Sequence, residues 1–247
     1  MPGLALVVAG LALGLPGAAH GAVPETPASA PPDGAAAANA DFRSEPRSEE
    51  ARIVADWVSR SGDNRRLPFV IVDKVDARVF AFDGYGRLTG AAAALLGLGR
   101  GDDSVPGIGQ RRLATIRPEE RTTPAGRFVA ALGHDLKQDV LWIDYDAAVS
   151  LHRVIVGRPE EARSNRLGSA SALDNRISYG CINVPPEFYD TVIAPAFKGT
   201  VGIVYILPDT KPLREVFAMG DLASTGRPRP ASQQYPHLDD SRLPARR

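Results

Sequence analysis

The chain has 247 residues, 44% of them hydrophobic but only 6% aromatic, which suits one core of moderate size plus dispensable tails. Lysine plus arginine and aspartate plus glutamate balance at 29 each, so no net field draws nucleic acid or acidic membrane, and binding has to come from a local site. Cys181 is the single cysteine, which excludes an intramolecular disulfide.

Leu4 to Leu15 is an apolar run followed by Pro16, Gly17 and small residues up to Ala22, the pattern of a signal-peptide core and cleavage zone. Residues 1–22 are therefore expected to be an export signal, although no Lys or Arg precedes the run. The rival reading is an uncleaved anchor, but at roughly a dozen residues the run is short of the ~20 that span a bilayer, so cleavage is favoured and no stable membrane span is expected after it. The mature protein is placed in the periplasm or cell envelope. Residues 23–47 are rich in Pro and Ala without periodicity and read as a disordered linker. Over 48–62 the apolar residues Ala51, Ile53, Val54, Trp57 and Val58 recur at helical spacing. Ser48 is the expected N-cap, and Glu49 and Glu50 suit the positive end of the dipole.

Pro68–Val72 and Ala77–Phe82 predict strands, with Asp83-Gly84-Tyr85-Gly86 turning the chain into Leu88. Gly97–Gly109 reads as a mobile glycine-rich loop; without the Lys-Ser/Thr ending of a P-loop it is no phosphate cradle. Further strands are expected at Leu113–Ile116, Gly126–Leu132, Val140–Tyr145 and Val149–Val156. A single later helix runs from Pro185 to about Phe197, and Thr200–Leu207 is a buried closing strand. Leu213–Met219 suggests a short helix inside a largely disordered tail, 210–247. The fold class is mainly β with a few short helices, and the domain spans 65–209.

The chemistry centres on Ser178-Tyr179-Gly180-Cys181-Ile182-Asn183-Val184. A leftover cysteine in an exported protein is either an intermolecular bridge or a reactive thiol, and Gly180 lets backbone amides turn toward the sulfur. A thiol of pKa ~8.5 is mostly protonated at neutral pH, so it needs a base. His152 lies in an alternating run that can present its ring on a sheet edge; an ordinary strand histidine is the bland alternative. His134 competes, but Gly133-His134-Asp135 reads as a turn. The amides of Tyr179, Gly180 and Cys181 are candidate oxyanion donors, and the Ser178 hydroxyl is placed to brace the turn. Four histidines and one cysteine show no zinc-ligand spacing, so no metal is expected.

The cysteine stretch resembles the S-x-G-C-[IV]-R signature of the L,D-transpeptidases of the bacterial cell wall, with Asn183 at the arginine position. Arg121-Thr122-Thr123-Pro124-Ala125-Gly126-Arg127-Phe128 is similar to that family's T-P-x-G-x-F strand. His152 falls where its general base is expected, followed by Arg153 where glycine is common. The resemblance covers roughly Pro68 to Pro208. It implies an L,D-transpeptidase-like β-sandwich catalytic domain in which Cys181 is acylated and His152 is the base. The donor would be a peptidoglycan stem tetrapeptide, attacked at its third residue with release of D-Ala, and an amine would resolve the thioester without any cofactor. Arg166 and Arg176 are candidates for the charge that Asn183 lacks. Two alternatives stay open: water as acceptor, making an L,D-carboxypeptidase, or a catalytically silent module that binds peptidoglycan.

Overall fold

The computed structural model describes residues 39–135 and 137–219. The expected signal segment, the first part of the linker and residues 220–247 of the tail lie outside the described residues.

The helix α1 (Glu49–Ser61) starts at Ser48, whose hydroxyl accepts the Ala51 N–H. It stops at Gly62 in the left-handed conformation, φ 67°, which glycine adopts at no steric cost. Ala51, Val54, Trp57 and Val58 are buried. They pack on β1 (Phe69–Asp73), which is covered at every position, as expected of an apolar run inside a sheet. The meander continues through β2 (Arg78–Phe82), β3 (Leu88–Ala93) and the short β4 (Leu96–Gly97). After a long loop come β5 (Gly126–Asp135), β6 (Gln138–Asp144) and β7 (Val149–Arg153). A second irregular stretch carries α2 (Arg163–Leu167) and leads to β8 (Arg176–Ser178) and β9 (Ile182–Val184). The helical turns α3 (Pro186–Phe188) and α4 (Ala194–Ala196), the strand β10 (Val201–Ile206) and α5 (Leu213–Val216) complete the described chain.

The architecture is mainly β: eight strands in the order β3-β2-β1-β10-β5-β6-β7-β9, plus the pair β4-β8. Only β1 with β10 and β7 with β9 are parallel within the large sheet. Leu95, between β3 and β4, exchanges backbone hydrogen bonds of 2.8 and 2.9 Å with Asn183 of β9. That tie joins the two ends of the sheet, which curls into a sandwich around one core. Val79 and Ala81 of β2 accordingly share an apolar cluster with Leu151, Ile182 and Val184 at the far end. A second cluster, built on Phe69, Phe80, Phe82 and Tyr205, lies under α1.

Several elements depart from the sequence expectation. The stretch Leu113–Ile116 is not a strand but a 3-10 turn over Leu113–Thr115; Leu113 is 60% exposed, and among the described residues the stretch pairs with no strand. β7 stops at Arg153 because its partner β9 ends at Val184. His134 and Asp135 are strand residues, since the hairpin continues beyond them to a left-handed Lys137, φ 64°. The single helix after Cys181 is interrupted by a wide π-turn over Tyr189–Ile193, ahead of Pro195, which has no N–H to give to a regular ladder. α2 was not foreseen. The buried last strand expected over Thr200–Leu207 is present as β10, which lies between β1 and β5 in the middle of the sheet.

Three stretches expected to be loose are tied down. Asp102, in the glycine-rich loop, is buried and accepts hydrogen bonds from Lys74 Nζ (2.9 Å), the Asp209 N–H (2.5 Å), Thr210 Oγ1 (2.6 Å) and the Lys211 N–H (2.8 Å). Residues 210–219 are thereby fastened to the domain, and Phe217 packs beside Trp57. At the other end Phe42 is buried against Phe80 and Phe82. The domain therefore extends past both ends of 65–209.

Candidate active site

β7 and β9 run parallel with Leu151 opposite Ile182 and His152 opposite Asn183. Because side chains alternate along a strand, Leu151 and Ile182 enter the core. Ser150, His152, Asn183 and, one residue before β9, Cys181 share the other face. The fold thus brings the sole thiol and the expected base onto one face of two adjacent strands.

The turn that delivers the thiol is braced from behind. Ser178 Oγ donates to the Cys181 carbonyl (2.6 Å) and accepts the Gly180 N–H (3.1 Å). Gly180 has φ 136°, and a Cβ there would stand 2.8 Å from the Thr122 carbonyl oxygen, so both the backbone and the space demand glycine. Thr123 Oγ1 donates to the Gly180 carbonyl (2.8 Å) and accepts the Gly97 N–H (2.9 Å). The Thr-Thr-Pro-Ala-Gly stretch is the wall behind the cysteine turn. Since the Gly180 amide is committed to Ser178, Tyr179 and Cys181 are left as the candidate oxyanion donors of the three. The half-exposed Tyr179 ring lies under the Arg121 guanidinium, 4.0 Å from its centroid.

His152 is buried and its Nδ1 is 2.7 Å from the Arg153 carbonyl oxygen. A carbonyl only accepts, so Nδ1 carries the hydrogen and Nε2 is the bare nitrogen, the tautomer a general base requires. The Arg153 guanidinium is elsewhere. It lies over the Tyr189 ring (4.2 Å) and bonds Asp139 (2.8 Å) and Asp190 (2.5 Å), on the sheet face opposite the thiol. His134 is on that opposite face too, exposed at the end of β5.

Among the described residues no hydrogen bond joins Cys181 to His152. The sulfur is 3.5 Å from the Ala148 carbonyl oxygen and 3.7 Å from Ser150 Oγ. Burial pushes the thiol pKa up, opposed by hydrogen bonds from the Ser150 backbone and hydroxyl. Burial likewise pushes the imidazole down; the Arg153 carbonyl opposes this and the positive charge of Arg163 adds to it. Both shifts favour the neutral forms, so burial works against a preformed thiolate–imidazolium pair.

Comparison with known proteins finds likeness in solved structures only. The helical cell shape determining protein Pgp2 from Campylobacter jejuni matches at 16% identity over 63% of this chain and 55% of its own, with a TM-score of 0.39. An Enterococcus faecium L,D-transpeptidase matches at 17% identity over 56% of this chain and 49% of its own, TM-score 0.33. An L,D-transpeptidase from Mycobacterium smegmatis matches at 11% identity over 57% and 58%, TM-score 0.31. The chain spans about half the length of these proteins. No family model and no curated protein matches. What the chain can do is decided by its own residues.

Two arginines proposed for the site belong to the framework. Arg176 bonds Asp209 (2.5 and 3.1 Å) and the Lys74 carbonyl (2.8 Å), and Arg166 bonds the Glu161 and Asp174 carbonyls (2.7 and 2.5 Å). The guanidinium that reaches the motif is Arg163, whose Nη1 donates to Asn183 Oδ1 (3.0 Å) while Asn183 Nδ2 donates to the Cys181 carbonyl (3.2 Å). Glu161 holds Arg163 from the other side at 2.5 Å. No sequence signal marks Arg163, which sits in an irregular stretch. Ser150 was also missed, although its position two residues before His152 on one strand places it on the same face.

Proposed function

We propose that this protein is a peptidoglycan L,D-transpeptidase. The observation that carries the reading is the arrangement of Cys181, on its glycine-braced turn, and His152, with Nδ1 locked on the Arg153 carbonyl, on the same face of β7 and β9. A substrate carbonyl beside the sulfur would be attacked as His152 Nε2 takes the thiol proton. The negative charge on oxygen would be met by the Tyr179 and Cys181 amides. The imidazolium then returns its proton to the departing D-Ala amine, leaving a Cys181 thioester, and an amine from a second stem peptide resolves it. The resemblance of the motif to cell-wall transpeptidases, not the geometry, supplies the substrate class and the exported location.

The neutral resting thiol, held on Ser150 and Ala148, favours one second reading, a silent module that binds peptidoglycan. Incubation with disaccharide tetrapeptide, read by mass spectrometry, separates the possibilities. A cross-linked dimer and an acyl adduct lost in Cys181→Ala are expected. A trimmed tripeptide instead would make water the acceptor, and an unchanged substrate would leave the silent module.

A further inference from the structure

The thiol has two neighbours that respond oppositely to its charge. The Ala148 carbonyl oxygen, 3.5 Å away, can only accept, so it favours the protonated sulfur. Ala148 is left-handed, φ 54°, a conformation held here because Asp144 Oδ1 accepts the Asp146 and Ala147 N–H groups at 3.0 Å and fixes the turn between β6 and β7. Ser150, 3.7 Å from the sulfur through Oγ, can donate from its hydroxyl and its main-chain N–H, and both interactions favour the thiolate. The charged and titratable groups set around this pair are His152 on β7, Asp135 at the end of β5 and Arg163 on α2. Arg121 stacks on Tyr179, and Arg153 with Asp139 and Asp190 occupies the opposite face. Asp135 opposes a negative sulfur.

We propose that Ser150 is a third functional group at the thiol: its hydroxyl and N–H hold the sulfur once the proton has gone, the role an imidazolium fills in a preformed pair. When the S–H bond breaks, the proton passes to His152 Nε2 and the electron pair stays on sulfur. The Ala148 carbonyl then repels the sulfur, while Ser150 gains two charge-assisted bonds, about twice as strong as neutral ones. Ser150 thus biases Cys181 from its parked, protonated state toward the nucleophile. This inference rests on reading Cys181 as a nucleophile.

Because the chain has one cysteine, iodoacetamide alkylation followed over pH by intact mass reads this thiol alone. Ser150→Ala should move the alkylation profile to higher pH by about one unit, roughly a tenfold slower reaction at neutral pH, since one pKa unit is a factor of ten. Ser150→Thr, which keeps the hydroxyl, should restore it. An unmoved profile in Ser150→Ala, or a Ser150→Thr variant as slow as Ser150→Ala, overturns the proposal. No peptidoglycan enters these measurements, so a protein that alkylates as described but leaves disaccharide tetrapeptide unchanged refutes the transpeptidase and keeps the role of Ser150.

Discussion

Two buried sets of ionisable side chains meet at the Thr122–Thr123 segment, and they resolve burial in opposite ways. Lys74, fully buried, donates to the Gly101 carbonyl (2.7 Å), Asp102 (2.9 Å) and the Thr123 carbonyl (2.9 Å), with Asp209 at 3.5 Å and Arg176 completing the network. Enough donors surround Asp102 to hold its carboxyl far below the ordinary range despite its burial. Across Thr123, whose hydroxyl bonds the Gly180 carbonyl, Cys181 and His152 have few partners, and burial favours their neutral forms. Burial sets the cost of a charge; the number of aimed hydrogen-bond partners decides whether the charge survives it. The first set staples the glycine-rich loop and the chain after β10 to the sheet. The second keeps its proton until something disturbs it.

The largest effect should come from breaking the staple. Lys74→Met leaves Asp102 and Asp209 buried without their ammonium partner, and removing one member of a buried pair costs about 3–5 kcal/mol. Urea unfolding should show a free energy lower by about that amount, read as a lower midpoint at unchanged slope, and a midpoint equal to wild type would show the network to be dispensable.

A smaller effect sharpens the contrast through pH. The folded Asp102 pKa is depressed, so its contribution is complete above the unfolded value of ~3.9 and lost only as pH falls toward the folded value, in strong acid. The folded His152 pKa is also depressed, so its contribution is complete above ~6.5 and lost as pH falls below that point. The folded Cys181 pKa is raised, so its contribution is complete below ~8.5 and lost as pH rises toward the folded value. Thermal unfolding should show the best stability from this pair between about 6.5 and 8.5. Cys181→Ala should flatten the alkaline limb between about 8.5 and 10, below the range where Tyr145, Tyr189 and Tyr205, also raised by burial, titrate, and a limb that persists there would contradict the raised thiol.

The smallest expected effect is none. Arg153→Ala removes a guanidinium one residue from His152, yet its side chain is bonded to Asp139 and Asp190 on the far face of the sheet. The alkylation profile of Cys181 should therefore be unchanged. A shift would mean that the charge of Arg153 reaches the thiol through the sheet.

What was legible in the sequence followed from local rules. Ser48 and Gly62 bound α1 because capping and left-handed φ are properties of single residues. The alternation around Leu151-His152 and the lone Cys181 marked the two chemical groups because strand periodicity needs no knowledge of the partner strand. Only tertiary structure decided that β10 lies at the centre of the sheet, that Leu113–Ile116 pairs with no strand among the described residues, and that the supposedly mobile loop is pinned through Asp102 to residues 209–211. It also decided that Arg163, rather than Arg166 or Arg176, meets Asn183, and that the resting sulfur faces Ser150 and Ala148. Each depends on a contact between segments far apart in the chain. Local propensity says which face a residue occupies on its own strand, whereas the identity of the group opposite, and with it the charge a buried side chain can carry, is fixed only when the sheet has closed.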